Sequence, residues 1–190
     1  MKHEVQVGLS NKHLHLKQED IQTLFGEGYE LTAFKELVQP GQYACEEKVD
    51  IVGPKGALKG IRVLGPARPE TQVELAITDA RAIGITPMIR ESGKLDGTPG
   101  CKIIGPKGEV ELSHGVIIAL RHVHLSAAQA QEVGVKDKDI VALKVGGERG
   151  AIFDNVLIRA GDGHEREAHL DTDEGNAAGC DANSVAEIIK

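Results

Sequence analysis

Short apolar runs bounded by glycine, proline and other turn residues recur along the chain. They are rich in valine, isoleucine and leucine, and they read VDIVG, GIRVLG, TQVELAI, CKIIG, GVIIAL, DIVALKV and NVLIRA. Short strands at close spacing, with turn signals between them, are typical of barrels and sandwiches and not of a parallel α/β sheet. The pattern therefore predicts a mainly β protein.

Segments with a helical pattern are few and brief. One reads LKQEDIQTLFG, and a second reads SAAQAQEVG, with Ser126 as its expected N-cap and Gly134 just past its C-terminus. A third begins at DTDEGNAAG, where early acidic residues favour a helix N-terminus.

A histidine pair of the form H-x-H occurs twice, in HLHL at 13–16 and in HVHL at 122–125. A strand places residues i and i+2 on the same face, so each pair presents two imidazoles side by side, as a metal site requires. A single pair is weak evidence, because chance or plain core histidines would explain it. Two pairs, each followed by leucine, a short helix-like run and a glycine (Gly26 and Gly134), favour metal binding.

A second repeat lies between the histidine pairs, in IVGPKGALKGIRV at 51–63 and IIGPKGEVELSHGVII at 103–118. The sequence G-P-K-G suits a hairpin turn, and a phosphate-binding loop is the less favoured alternative. The histidine motifs flank this self-similar middle. We therefore expect two small β-modules that meet at a shared site.

The composition narrows the class of protein. The chain has 190 residues, a formal net charge of −7, 3% aromatic residues and no tryptophan. A nucleic-acid-binding protein would show a basic face and stacking aromatic residues, so we expect no nucleic-acid partner. An anionic ligand must instead meet a local cluster of arginine, lysine or metal.

The cysteines and the apolar runs indicate a cytoplasmic protein. Cys45, Cys101 and Cys180 are odd in number and widely spaced, which suits a reducing compartment, and we interpret them as small buried residues in preference to reactive or metal-bound ones. No apolar run approaches the ~20 residues that span a bilayer, and the N-terminus lacks a signal-peptide core, so we expect no membrane association.

The histidine pairs need further ligands. His169 in EREAHLDTDEGNAAG would join His122 and His124 in the three-ligand set of an open catalytic zinc site, although three imidazoles would also accept cobalt, nickel or iron. His13 and His15 need another donor. Glu74 in RPETQVELA is a candidate, and an exposed strand residue is the equal alternative.

Several arginines could bind an anion. Arg68 in LGPARPETQVE follows a Gly/Pro turn and could direct its planar fork at phosphate, although a solvated surface arginine is the more common case. Arg90, Ser92 and Arg159 are ambiguous in the same way. The remaining histidines, His3, His114 and His164, sit in no repeated context, and we expect them to be ordinary surface or core residues.

Several separate segments in the right order carry a resemblance that runs nearly end to end. They read VGLSNKHLHLKQEDIQTLFG, VQPGQYACEEKVDIVGPKG, VLGPARPETQVEL, GITPMIRESG, RHVHLSAAQA, FDNVLIRAG and HLDTDEGNAAG. Together they resemble the phosphate propanoyltransferases of the PduL type, a phosphotransacylase family linked to propanediol utilisation.

The resemblance implies a fold and a site. The fold would be two small β-barrels capped by short α-helices, one formed by 16–119 and the other by 1–15 plus 120–190. Two zinc ions per chain would be held, one by His13, His15 and Glu74 near the coenzyme A sulfur, and the other by His122, His124 and His169. Arg68 would bind phosphate as the catalytic arginine, with Gln72, Ser92 and Arg159 lining the same pocket.

The implied reaction converts a short-chain acyl-CoA, propanoyl-CoA or acetyl-CoA, plus phosphate into acyl phosphate plus coenzyme A, reversibly and without a covalent acyl-enzyme. A zinc hydrolase, in which hydroxide replaces phosphate, and a non-catalytic metal-binding scaffold are the alternatives. We also expect a homodimer.

Two positions depart from the family pattern, namely Lys12 where arginine is expected and Gly175 where alanine is usual. Neither change removes a ligand. Family members packaged in bacterial microcompartments carry an amphipathic N-terminal extension, whereas only twelve residues precede His13 here. We therefore expect a free cytoplasmic enzyme if the chain is complete.

Overall fold

A computed structural model describes residues 3–190, which divide into two compact units. The barrel unit comprises the chain up to Asn11, Val38–Pro40 and Leu120–Lys190, and the sheet unit comprises Lys12–Leu37 and Gly41–Ala119. The expected boundaries were 16–119 for one module and 1–15 plus 120–190 for the other. The observed division instead assigns residues 12–15 to the sheet unit and Val38–Pro40 to the barrel unit.

Strands make up most of the ordered elements. In chain order they are β1 (Glu4–Ser10), β2 (His13–His15), β3 (Ala33–Glu36), β4 (Tyr43–Gly53), β5 (Gly56–Gly65), β6 (Gln72–Glu74), β7 (Ile89–Arg90), β8 (Cys101–Ile104), β9 (Glu109–Leu112), β10 (Val116–Ala119), β11 (His122–Leu125), β12 (Ile140–Val145), β13 (Ala151–Ala160), β14 (Glu167–Asp171) and β15 (Val185–Ile189). The helices are α1 (Gln18–Phe25), α2 (Ile77–Ala82), α3 (Ala127–Val133) and α4 (Thr172–Ala178). The mainly β prediction is confirmed.

The barrel unit is a closed barrel in the order β1-β14-β11-β13-β12-β15. Apolar residues alternate along its strands, so that Val5 and Val7 of β1, Val123 and Leu125 of β11, and Ala168 and Leu170 of β14 fill the interior. Because successive side chains on a strand point to opposite faces, His122, His124, Glu167 and His169 share the other face of β11 and β14.

The sheet unit is a curled sheet in the order β7-β10-β6-β2-β5-β4-β8-β9, with β3 paired to β4. Its core includes Leu14, Ile51, Val63, Val73 and Ile103, which are all essentially inaccessible to solvent. The alternation in HLHL directs Leu14 into this core, and His13 and His15 therefore lie on the opposite face of β2.

The three predicted helices form as α1, α3 and α4, and the last two begin at capping residues. Ser126 and Gln129 make a capping box before α3, and Gly134 ends the helix in the left-handed conformation with φ 74°. Asp171 and Glu174 do the same for α4. The TQVELAI run differs from the prediction, because its strand ends at Glu74 and Ile77 begins α2.

Both G-P-K-G segments are hairpin turns, as predicted. Gly53 pairs with Gly56 between β4 and β5, and the Gly105 amide donates to the Gly108 carbonyl between β8 and β9. The Lys55 amide donates to the Ile83 carbonyl, and the Lys107 amide donates to the Leu24 carbonyl. The backbone of each turn therefore forms a hydrogen bond with a distant part of the chain. Within residues 3–190, no helix is long and apolar enough to cross a membrane.

Candidate functional site

Three histidines form a compact cluster on the barrel unit. In the antiparallel pairing of β11 with β14, His122 lies opposite His169 and His124 lies opposite Glu167. The Nε2 atoms of His122 and His124 are 3.1 Å apart, and one nitrogen from each of His122, His124 and His169 lies within 4.8 Å of the others. The three predicted ligands of this set are therefore brought together.

Further hydrogen bonds fix the rings of this cluster. His122 Nδ1 donates to the Leu120 carbonyl over 2.8 Å, which leaves Nε2 of the neutral ring unprotonated. His124 Nδ1 lies 2.9 Å from Nδ1 of His164, and His169 Nε2 lies 2.7 Å from Oε2 of Glu167. His164 and Glu167 were missed from the sequence because neither belongs to a repeated motif.

The surroundings of His124 favour its neutral imidazole, which is the form that binds metal. Burial, together with the neighbouring His122 and His169, lowers the pKa of His124 far below the ordinary histidine range. Arg159, which is in register with His124 on the parallel neighbour β13, lowers it further. Burial raises the pKa of Glu167, but the hydrogen bonds from His169 and Gln39, together with the nearby charges of His169 and His122, outweigh burial and lower the net pKa.

The second cluster lies on the sheet unit, where β2 pairs with β6. His13 lies opposite Glu74 and His15 lies opposite Gln72. His13 Nε2 is 3.5 Å from Glu74 Oε2, and His15 Nε2 is 3.9 Å from Glu74 Oε1. Burial, followed by His13 and Arg68, lowers the pKa of His15 to about 3. Glu74 is thus buried beside both histidines and is not an exposed strand residue.

Arg68 is linked to this second cluster by a hydrogen-bond network. Its Nη1 donates to Ser92 Oγ over 3.4 Å, and the Ser92 hydroxyl donates to Glu74 Oε1 over 3.2 Å. Gln72 Nε2 donates to both Ser92 Oγ (2.8 Å) and Glu74 Oε1 (2.5 Å). The Arg68 amide donates to the Leu16 carbonyl, which anchors the arginine loop next to β2.

Both clusters suit a tetrahedral metal ion. With Zn–N bonds of ~2.0–2.1 Å, two ligands of a tetrahedral zinc lie about 3.3 Å apart, close to the observed His122–His124 separation. The donor sets, three imidazoles in one unit and two imidazoles with a carboxylate in the other, are sets that zinc accepts.

The candidate phosphate-binding residues are divided between the two units. Arg159 belongs to the barrel unit, while Arg68, Gln72 and Ser92 belong to the sheet unit. His114 pairs with exposed Glu70 at 2.6 Å and joins neither cluster. All three cysteines are free; burial raises the pKa of Cys45 to about 11 and of Cys101 to about 12.

The fold and these clusters define a mainly β protein with two candidate metal sites and an arginine held beside one of them. A family model described as phosphate propanoyltransferase matches residues 6–181. Relatives of that name are similar over nearly the whole chain. The Thermotoga maritima protein is 56% identical over 185 residues, covering 97% of this chain and 88% of the relative. The Clostridioides difficile protein is 49% identical (98% and 89% covered), and the Salmonella typhimurium protein is 48% identical (93% and 84% covered).

The chain belongs to the phosphate propanoyltransferase family. The predicted enzyme class, a phosphate acyltransferase that uses an acyl-CoA and phosphate, is confirmed by this membership.

Proposed function

We propose that this chain transfers a short acyl group, propanoyl or acetyl, reversibly between coenzyme A and phosphate, with one zinc ion bound in each unit. The observation that carries the proposal is the network joining Arg68 to Glu74 through Ser92. It holds a phosphate-binding side chain next to a candidate metal ligand, in the unit that also contains His13 and His15.

Arg68 is assigned to the attacking phosphate. A guanidinium presents parallel N–H donors that match two phosphate oxygens, and it stays charged at any working pH. A phosphate oxygen then attacks the thioester carbonyl carbon, the new C–O bond replaces the C–S bond, and coenzyme A leaves as the thiolate. Ser92 forms hydrogen bonds with both Arg68 and Glu74, and Gln72 donates to Glu74. Arg159 supplies a second cation on the barrel unit.

His13, His15 and Glu74 are assigned to the zinc ion nearer the coenzyme A sulfur, and His122, His124 and His169 to the other. Bound zinc would supply Lewis acidity to the thioester carbonyl oxygen and to the departing sulfur. The neutral state of His15 and His124, enforced by burial, keeps their nitrogens available as ligands. Removing a ligand should therefore impair catalysis through metal loss.

We assign the reaction to direct transfer, with no acyl-cysteine. Raised pKa values keep the thiols of Cys45 and Cys101 protonated near neutral pH, and both side chains are buried. Cys180 is more accessible, and its pKa is also raised by burial.

The deciding experiment measures release of free thiol from propanoyl-CoA and acetyl-CoA by zinc-loaded protein, with and without phosphate. Thiol release that requires phosphate and yields acyl phosphate is expected. Release at the same rate without phosphate would identify a hydrolase, and absence of release under both conditions would favour a metal-binding scaffold.

We also propose a homodimer in the cytoplasm. Three free cysteines suit that reducing compartment. Sedimentation of the purified chain should give the mass of two copies, and a single-copy mass at micromolar concentration would refute the dimer.

A further inference from the structure

The two clusters are built on the same four-position frame. In the barrel unit, the first histidine of the pair, His122, faces the third ligand, His169, and the second histidine, His124, faces Glu167. In the sheet unit, His13 likewise faces the third ligand, Glu74, and His15 faces Gln72. The three-ligand description leaves out one position of each frame, which Glu167 and Gln72 occupy.

This fourth residue makes a hydrogen bond to the third ligand in both units. Glu167 Oε2 accepts from His169 Nε2 over 2.7 Å, and Gln72 Nε2 donates to Glu74 Oε1 over 2.5 Å. The chemistry is matched to the ligand in each case, because a carboxylate accepts from an imidazole N–H and an amide donates to a carboxylate. The same geometry thus recurs with complementary side chains.

A further layer holds each fourth residue in place. Gln39, which is buried, donates to Glu167 Oε2 over 3.2 Å, while the same amide exchanges hydrogen bonds with the backbone of Glu165 at 3.0 and 3.2 Å. In the sheet unit, the Gly93 amide donates to Gln72 Oε1 over 2.8 Å, and Ser92 accepts from Gln72 Nε2. Both N–H donors and the carbonyl oxygen of the Gln72 side-chain amide therefore form hydrogen bonds, which fixes the orientation of this amide.

The hydrogen bond also constrains the third ligand of each cluster. A carboxylate only accepts, so His169 carries its proton on Nε2, and the neutral ring presents an unprotonated Nδ1. In the other unit, Gln72 and Ser92 engage Oε1 of Glu74, which lies 3.9 Å from His15 Nε2, while Oε2 lies 3.5 Å from His13 Nε2. In both clusters the partner thus holds the third ligand in a fixed orientation beside the histidine pair.

We propose that Glu167 and Gln72 are positioning residues for the two metal sites, each acting through the third ligand of its own cluster. This inference rests on the proposed function, because it presupposes that the clusters bind zinc. It assigns a role to Glu167, and it gives Gln72 the task of orienting Glu74 instead of contacting phosphate.

The experiment measures zinc affinity of the metal-free full chain by competition with a chromophoric chelator. His15→Ala provides a background that retains only the barrel site, and His124→Ala one that retains only the sheet site. In the first background, Glu167→Ala should weaken zinc binding 10- to 100-fold, the usual effect of removing such a partner. Glu167→Gln should weaken it less, because the amide oxygen still accepts a hydrogen bond.

The matched prediction for the second background is that Gln72→Leu weakens zinc binding to a similar extent, and that Glu167→Ala leaves it unchanged.

The control for the barrel site is Glu187→Gln, since Glu187 lies on β15 of the barrel unit, a strand adjacent to neither β11 nor β14. Circular dichroism verifies the fold of each variant, and the glutamine variant keeps the test valid if the alanine variant is unfolded.

The outcomes separate this inference from the proposed function. Suppose that the parent chain binds two zinc ions, but that the Glu167 and Gln72 variants bind zinc within twofold of their backgrounds. This result would overturn the inference and leave the proposed function intact. Gln72→Leu that raises the KM for phosphate without weakening zinc binding would overturn the role of Gln72. A parent chain that binds no zinc would refute the metal sites of the proposed function, and this inference with them.

Discussion

The Nε2 atoms of His122 and His124 lie 3.1 Å apart on the same face of β11. The His122 nitrogen is unprotonated in the neutral ring because its Nδ1 donates to the Leu120 carbonyl. At this separation, Nε2 of the neutral His124 ring donates a hydrogen bond to Nε2 of His122. A metal ion bound here would take the place of that proton within a geometry that is already assembled.

Replacing His122 or His124 by alanine should lower the zinc content from about two ions per chain to about one and abolish turnover, because the barrel site loses a first ligand. Elemental analysis of protein purified without chelator measures this change. His114→Ala is the control, since His114 pairs with exposed Glu70 outside both clusters. Equal losses in the His114 and His122 variants would show that the ligand assignment is wrong.

Arg68→Ala should raise the KM for phosphate and lower kcat, while zinc content and coenzyme A affinity stay close to those of the parent. Loss of one charge-assisted bidentate contact should remove about 2–4 kcal/mol of transition-state stabilisation. Lysine at this position should rescue poorly, because it supplies the charge without the planar fork. A phosphate saturation curve equal to that of the parent would move the phosphate site to Arg90 or Arg159.

The stability of the metal-free chain should fall as the pH is lowered through the weakly acidic range. The pKa of His15 is about 3 in the folded chain against an ordinary value of 6.5, so between these values the unfolded chain binds a proton that the folded chain does not. The free energy of unfolding therefore decreases as the pH falls below about 6.5. Urea midpoints at pH 7.5 and pH 5 should differ less for His15→Gln than for the parent. An unchanged pH dependence in His15→Gln would contradict this account.

Gly175→Ala should stabilise the chain by about 0.5–1 kcal/mol, because alanine favours the interior of α4 over glycine. The added methyl group would meet the end of the Leu9 side chain, which is 39% exposed and free to rotate towards solvent. Gly179→Ala should instead destabilise by about 1 kcal/mol, since Gly179 ends the same helix with φ 68°. Thermal unfolding of the two variants should shift in opposite directions, and a lowered midpoint for Gly175→Ala would mean that Leu9 cannot move.

Much of the fold and the ligand pairs could be predicted because the signals are local. The alternation in HLHL and HVHL places leucine or valine in a core and both histidines on the opposite face, as any strand must. Ser126 with Gln129, and Asp171 with Glu174, mark helix starts through bonds that span three residues. The helix α2 was missed because its apolar run resembles the end of a strand.

The sequence by itself therefore determined the mainly β class, the two histidine pairs, the hairpin turns and, through the order of its motifs, the family. Only the tertiary structure decided that Glu167 stands opposite His124, that Gln72 stands opposite His15, and that Gln39 supports Glu167. These relationships depend on which strands pair and in what register, and that choice is made by backbone hydrogen bonds and core packing between segments far apart in the chain. A two-residue shift of β14 against β11 would keep Ala168 and Leu170 in the core but move Glu167 away from His124 and His169 away from His122. The alternation of apolar and polar residues is the same in both registers, so it does not specify which one is adopted.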